Sequence, residues 1–245
     1  MTNTLITWHS FAPDVRINID HEDLVIPTAA RVKAEQFWQS TVQNDQDALF
    51  NGRLFSIQDY NEQTITVRPT EFKYFHAQIN NAWTSDSLYV RPLACSGVLT
   101  CKDGIIFAQR SSKVTLDKGL WELAPSGTFD DSCIVDGAHL SSTVLIETEM
   151  REELGIPESR ISTQQLKGGI ANEKTGALDL VIGIELDARQ REIEGYFSNR
   201  PSDEYSSLCV VPASQICQFM KDVASNLSRS TNVILKALSL MELEI

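Results

Sequence analysis

The stretch SSTVLIETEMREELGIP, residues 141–157, decides how the rest of the chain is read. Ser141, Ser142 and Thr143 supply side-chain oxygens that can accept from the free N–H groups opening a helix. Gly155 suits the left-handed turn that follows a helix, and Pro157 bars its continuation. Between these signals Glu149, Glu152 and Glu153 stand three and four residues apart, which places their carboxylates on one helical face. Val144, Leu145, Met150 and Leu154 fall towards other faces and can anchor the helix on a sheet. Arg151 is the one basic residue in the stretch, so the like charges weaken an isolated helix by roughly a few tenths of a kcal/mol per pair. Such a face is either a solvated acidic surface or a hard-cation site, because Mg²⁺ takes a few carboxylate oxygens and retains waters.

The surrounding chain narrows the choice. At 245 residues it can bury a full core in one or two domains, and 42% hydrophobic with 22% charged residues is an ordinary globular composition. A net charge of -12 argues against a long nucleic acid as partner, since phosphate contacts need a basic surface. A small phosphorylated ligand is still compatible where metal ions carry the positive charge. Cys95, Cys101, Cys133, Cys209 and Cys217 make an odd count without a CxxC pair, which suits reduced thiols in a cytosol. His9, His21, His76 and His139 do not pair at metal-ligand spacing. No apolar run approaches membrane length and no basic-then-apolar leader opens the chain, so the expectation is a cytoplasmic protein without a membrane partner.

Taken in order, residues 1–20 alternate apolar and polar and predict one or two strands, and ARVKAEQFWQSTVQ predicts a helix. ALFNGRLFSIQDYNEQTITVRPT predicts strands with turns at Asn51-Gly52 and Tyr60-Asn61, followed by a short helix over EFKYFHAQIN. From about Leu88 the apolar strands VRPLACSGVLTC and GIIFAQRS flank the turn Lys102-Asp103-Gly104. GLWELAPSG ends in a loop, and DDSCIVDGAHL is irregular. GIANEKTGALDLVIGIELDA predicts strands on either side of Gly176. SLCVVPASQICQFMKDVA predicts a strand and a helix, and STNVILKALSLMEL a last helix. Interleaved strands and helices make this an α/β chain. The expected division is a β-rich domain over 1–87 and a second domain over 88–245.

Within the opening stretch, TEMREELGI (148–156) resembles the end of the Nudix box, G-x5-E-x7-R-E-U-x-E-E-x-G-U with U apolar. Glu149, Met150, Glu152, Glu153, Gly155 and Ile156 match that half, and Gly127 in APSGTF resembles its glycine entrance with Ser126 in place of the preceding Gly. IIFAQRS resembles the strand before the box. Two departures stand out. Thr148 occupies the place of the Arg that orients a catalytic Glu. Gly127 and Thr148 lie 21 positions apart against 14 in the pattern, a seven-residue insertion that leaves the box's first Glu without a counterpart. ALFNGRLFSIQDY, GGIANEKTGALDL and SDEYSSLCVVPASQICQFM resemble stretches of the UDP-sugar pyrophosphatase branch known as Nudix-type motif 22, which shares an altered box and an N-terminal extension.

The resemblance implies an α/β/α sandwich with an additional N-terminal β-rich α+β domain, and hydrolysis of a nucleoside diphosphate sugar with Mg²⁺ (or Mn²⁺). It implies Glu149 and Glu153 as metal ligands and Glu152 as a supporting one. Glu204 and Glu173 are the candidates for a general base outside the box, each with an exposed loop acid as its plain alternative. Arg110, at the end of IIFAQ, is a candidate diphosphate contact or a surface cation. Gly127, Trp121 and Asn172 complete the candidate substrate contacts, although an aromatic at Trp121, close to the apolar Leu123, equally suits packing. His139 is a weaker candidate. Without a His partner motif the cysteines are small hydrophobes, not nucleophiles, and no P-loop is present. Other nucleotide conjugates such as ADP-ribose or NADH, and a Nudix-fold module that binds without cleaving, are the competing functions. A monomer and a homodimer are both compatible.

Overall fold

The computed structural model describes residues 5–44, 50–83, 88–114, 117–200 and 202–242. Strands β1 (Ile6–His9) and β2 (Arg16–Ile19) precede helix α1 (Thr28–Asn44), the hairpin β3 (Arg53–Tyr60) and β4 (Thr64–Glu71), and helix α2 (Phe72–Ile79). Then come β5 (Leu93–Cys101), β6 (Gly104–Arg110), β7 (Trp121–Leu123), β8 (Ser126–Thr128), β9 (His139–Leu140) and α3 (Ser142–Leu154). The chain continues through β10 (Ile161–Asn172), β11 (Leu178–Leu186), α4 (Gln190–Ser198), β12 (Tyr205–Val211), α5 (Ile216–Asp222) and α6 (Arg229–Glu242).

Alternation along the strands builds a layered α/β structure. The larger sheet runs β1-β10-β11-β5-β6-β12, with β7 added to β6 and β8 to β5. Only β11 and β5 pair in parallel within it. Leu180, Ile182 and Ile184 of β11 pack with Leu145, Ile146, Met150 and Leu154 of α3. Val181, one residue out of phase, packs instead with Ile234 and Leu235 of α6. The period of two thus feeds two cores, with helices on both faces of one sheet. The second sheet, β3-β4-β2-β9, joins the α3-side core through Ile17, Phe55, Ile57, Ile65 and Val67. On its far side α1 and α2 bury Ala30, Ala34 and Ala77 together with Leu54. Among the described residues no helix is long and apolar enough to cross a membrane.

The helix that opened the sequence reading forms between the expected signals. Ser141 accepts a bond from the Val144 N–H at 3.2 Å, and Gly155 sits at φ 71, ψ 8 with its N–H on Arg151 O. Only a residue without a Cβ adopts that left-handed conformation at no steric cost. Ser141→Ala leaves one helix N–H unpaired and lowers stability by about 1 kcal/mol. A thermal melt then shows Tm lower by roughly 2–4 °C, and an unchanged melt would mean the cap does not contribute.

Three features differ from the sequence expectations. Membership of the sheets crosses the division at 87/88 in both directions. β1 lies on the edge of the larger sheet, with Trp8 opposite Ile170, while β9 joins the smaller one, with Asn18 opposite His139. A sheet edge offers unpaired N–H and C=O groups, so a segment that reaches it gains ladder bonds wherever it falls in the sequence. Much of the seven-residue excess of the entrance loop is used in this way, through a 3-10 turn at Asp131–Cys133 and then β9. Helix α4 is the second difference. Its core-facing stripe, Ile193 with Tyr196 and Phe197 at i, i+3 and i+4, spans barely one turn inside a charged segment that also holds Gly195. β10 also begins at Ile161, earlier than expected, because its first half, ISTQQLK, is largely polar and solvent-facing.

Candidate active site

The cavity that receives the box residues lies where the larger sheet splits. β5 and β6 pair only beside their turn, Thr100 with Ile105 and Cys101 with Gly104. Beyond it β8 lies along Ala94–Ser96 of β5, and β7 along Phe107–Gln109 of β6. Between them is a cavity of about 400 Å³, whose walls include Arg110, Glu122, Gly127, Glu149, Glu153, Asp179 and Glu204. A second cavity of about 460 Å³, against Arg31, Arg53, Glu71 and Tyr74, contains none of the box acids.

α3 presents Glu149 and Glu153 to the cavity while Met150 and Leu154 hold the helix in the core. The glycine at the entrance has a steric reason. A Cβ on Gly127 would collide with Oε1 and the carboxyl carbon of Glu149. Next to it, the Ser126 N–H donates to Glu153 Oε2 at 3.1 Å. The start of β8 therefore clasps both carboxylates, one by close approach and the other by a backbone bond.

A buried polar network supports them from β6, β7 and β12. Arg110 Nη1 donates to Glu122 Oε1 at 2.9 Å, and the Tyr205 hydroxyl donates to the same oxygen at 2.9 Å. Arg110 Nη2 lies 3.1 Å from Glu204 Oε1, and the Glu204 carboxyl in turn lies within hydrogen-bonding reach of Glu153. Arg110 is thus committed to two carboxylates. Burial works against its charge, but Glu122 and Glu204 outweigh that and hold it more firmly protonated than a free guanidinium.

Burial, reinforced by carboxyl crowding, dominates the electrostatics. Burial first, then the charges of Glu204, Glu152 and Asp130, push Glu149 up to about 7. Burial with Glu204 and Glu149 pushes Glu153 well above the carboxylate range, against the opposing Ser126 bond. Glu122 is also raised by burial, despite Arg110 and Tyr205. Among the described residues no three His, Cys, Asp or Glu side chains are already gathered as metal ligands. The donor chemistry of Glu149, Glu153 and Glu204 nevertheless fits a hard divalent cation, whose charge would offset the mutual repulsion that raises the first two.

Burial and crowding together predict a pH dependence in metal-free protein. A group raised from 4.5 to about 7 on folding binds its proton more tightly when folded. Its stabilising contribution is full below about pH 4.5 and is lost as pH rises through about 7, on the order of 3 kcal/mol. Glu149→Gln cannot titrate, so its Tm gains on the parent by several degrees between pH 5 and 7.5, and Mg²⁺ closes the gap by stabilising the parent. A difference in Tm that stays flat with pH would remove Glu149 from the buried cluster.

No family model matches the chain, and no curated protein does. Solved structures similar to it include a protein from Deinococcus radiodurans, at 10% identity over 75% of this chain and 96% of that one, TM-score 0.47. A Nudix hydrolase from Nitrosomonas europaea is similar at 11% identity over 59% of this chain and 84% of that one, TM-score 0.40. A bifunctional NMN adenylyltransferase/ADP ribose pyrophosphatase from Francisella tularensis, complexed with AMP and a Mn ion, is similar at 14% identity over 69% of this chain and 47% of that one, TM-score 0.44.

The structure separates the candidate residues singled out in the sequence. Glu149, Glu153, Glu204, Arg110 and Gly127 meet in the cavity. Glu152 is on the same helix but solvent-exposed, 3.9 Å from Arg151. Glu173 is exposed in the β10–β11 turn, where the Asn172 side chain accepts from the Lys174 and Thr175 N–H groups at 3.0 and 3.3 Å. Neither lines the cavity. Trp121 packs its edge on Phe219, ring centroids 5.8 Å apart, in the α6-side core. His139 pairs with Asp136 at 2.8 Å. Glu122, Asp179 and Tyr205 line or support the site without having been expected there. Asp179 carried a signal, an acid inside the apolar strand LDLVIGIEL; Glu122, in the three-residue β7, carried none.

Proposed function

We propose that the chain is a divalent-metal-dependent Nudix-type pyrophosphatase that cleaves the diphosphate of a nucleoside diphosphate sugar, UDP-glucose or UDP-galactose, to UMP and sugar 1-phosphate. The observation that supports it most is the meeting of Glu149, Glu153 and Glu204, from α3 and the start of β12, in one cavity entered past Gly127. An acidic wall cannot take up a diphosphate by itself. Bound Mg²⁺ or Mn²⁺ supplies the positive charge that holds the diphosphate and lowers the pKa of water. Glu149 and Glu153 are its ligands in this reading, with Glu152 close by at the solvent edge.

The rest of the work falls to the chain's own groups. In this reading Glu204 takes the proton of the attacking water, a role supported by its contact with Glu153 and its ion pair with Arg110 at 3.1 Å. The water oxygen forms a bond to one phosphorus as the bond from that phosphorus to the bridging oxygen breaks. The bridging oxygen leaves with its electron pair on the second phosphate, so two phosphate monoesters result. Arg110 also offsets the place of Thr148. No Arg projects from α3 at that position, and Arg110 reaches the acids from β6 instead. Ser126 N–H orients the Glu153 carboxylate.

The test is incubation with Mg²⁺ and a panel of nucleotide conjugates, with phosphate measured after phosphatase coupling. UMP and hexose 1-phosphate from UDP-glucose or UDP-galactose support the proposal. AMP from ADP-ribose would shift the substrate to that class of conjugate. Tight binding without product would make the protein a nucleotide-sugar-binding module.

A further inference from the structure

Asp179 is a carboxyl that the proposed hydrolysis does not use. It lies on β11, opposite Ala94 of β5 on one side and Ile170 of β10 on the other. By strand parity it falls on the same face as Val181, the face that packs on α6, whereas Glu149 and Glu153 come from α3 on the opposite face. It reaches the same cavity through the split in the sheet, where Ser228 and Ser230 at the start of α6 form the adjoining wall. Among the described residues no N–H or O–H donor bonds its carboxylate, and no cation pairs with it. The accessible area it keeps opens on the cavity. Burial and the charge of Glu122 push it up to about 6. Its position on the α6-side face sets it apart from Glu149 and Glu153.

A half-buried carboxylate that no protein group donates to is left to cavity water, and a ligand donor that replaces that water gains a charge-assisted hydrogen bond. A diphosphate cannot be that donor, because like charges repel and the metal-binding acids are on the other wall. The neutral end of the substrate can: vicinal hydroxyls, or the N–H of a base. We propose that Asp179 is a specificity-determining residue, accepting hydrogen bonds from a hydroxyl or N–H donor on the non-phosphate part of the substrate. The orientation of the substrate in this inference rests on the proposed diphosphate hydrolysis.

The experiment measures kcat and KM of the parent, Asp179→Asn and Asp179→Ala with Mg²⁺ and UDP-glucose. Binding of UDP-glucose is measured by calorimetry on the same proteins. Analogues lacking one donor, the N3-methyl base or the 2-deoxy hexose, distinguish the two sources. Asp179→Asn is isosteric and removes a half-buried charge, so it folds. KM and Kd are expected to rise 10- to 100-fold for Asp179→Ala and less for Asp179→Asn, with kcat and Mg²⁺ dependence held within a few-fold. The parent discriminates against one analogue at least tenfold, and Asp179→Ala does not. Parent-like KM and Kd with discrimination intact would overturn the inference, as would a loss of kcat together with Mg²⁺ affinity at constant KM. Absence of turnover in the parent, alongside binding that depends on Asp179, would overturn the hydrolase reading and leave this one standing.

Discussion

Glu153→Gln lowers turnover of the proposed diphosphate hydrolysis roughly 10²–10⁴-fold, while the protein stays folded. The expectation has two physical parts. Gln keeps the shape of the side chain and can still accept from the Ser126 N–H, which now meets Glu153 Oε2 at 3.1 Å. It cannot carry the negative charge that a hard cation requires. Glu153 is 3% exposed and its carboxyl is pushed well above the usual range, so neutralising it relieves metal-free protein and does not weaken it. Activity falls, and Tm without metal holds or rises. Measuring both separates loss of chemistry from loss of fold. Hydrolysis at the parent rate would mean that the reacting diphosphate is held elsewhere.

Arg110→Met is the largest expected loss of stability, about 3–5 kcal/mol. Arg110 and Glu122 are 14% and 12% exposed at their side chains, and the Tyr205 hydroxyl is the other donor to Glu122. Met fills much of the space but leaves Glu122 buried with that bond alone, and Glu204 loses its ion-pair partner. Desolvation of a charge that has lost its partner exceeds anything the Met packing returns. For a chain of this length Tm falls by roughly 10 °C at neutral pH. Adding Glu122→Gln to Arg110→Met recovers a good part of the loss, since the stranded charge is then gone. A double variant no more stable than the single one would show that the cost comes from lost packing.

How much of this was legible beforehand follows from the range of the forces involved. Ser141, Gly155 and the spacing of Glu149 and Glu153 act within a helical turn or two, so the bounds of α3 and its acidic face could be read from adjacent residues. The apolar run LDLVIGIEL marked a strand, while Asp179, the acid inside it, was a signal that the sequence reading passed over. α4 escaped although Ile193, Tyr196 and Phe197 repeat at helical spacing, because a stripe of about one turn is too short for periodicity to mark a helix. Sheet membership of β1 and β9 escaped because pairing at an edge depends on which backbone arrives there, and side-chain pattern does not encode that.

The same division separates the acids. By itself the sequence determined an α/β chain built on a capped helix with clustered carboxylates, because propensity, capping and periodicity are local properties. Glu173 and Glu204 were equivalent on that basis, both loop acids beside a strand. Tertiary structure alone distinguished them: β12 pairs with β6, Tyr205 opposite Arg110, which carries Glu204 to α3. Glu173 is left in an exposed hairpin turn. It was also the tertiary structure that turned Arg110 from a cation at a strand end into the centre of a buried network. Contacts between residues nearly a hundred positions apart are set by how the sheet closes around its core, and no local pattern records them.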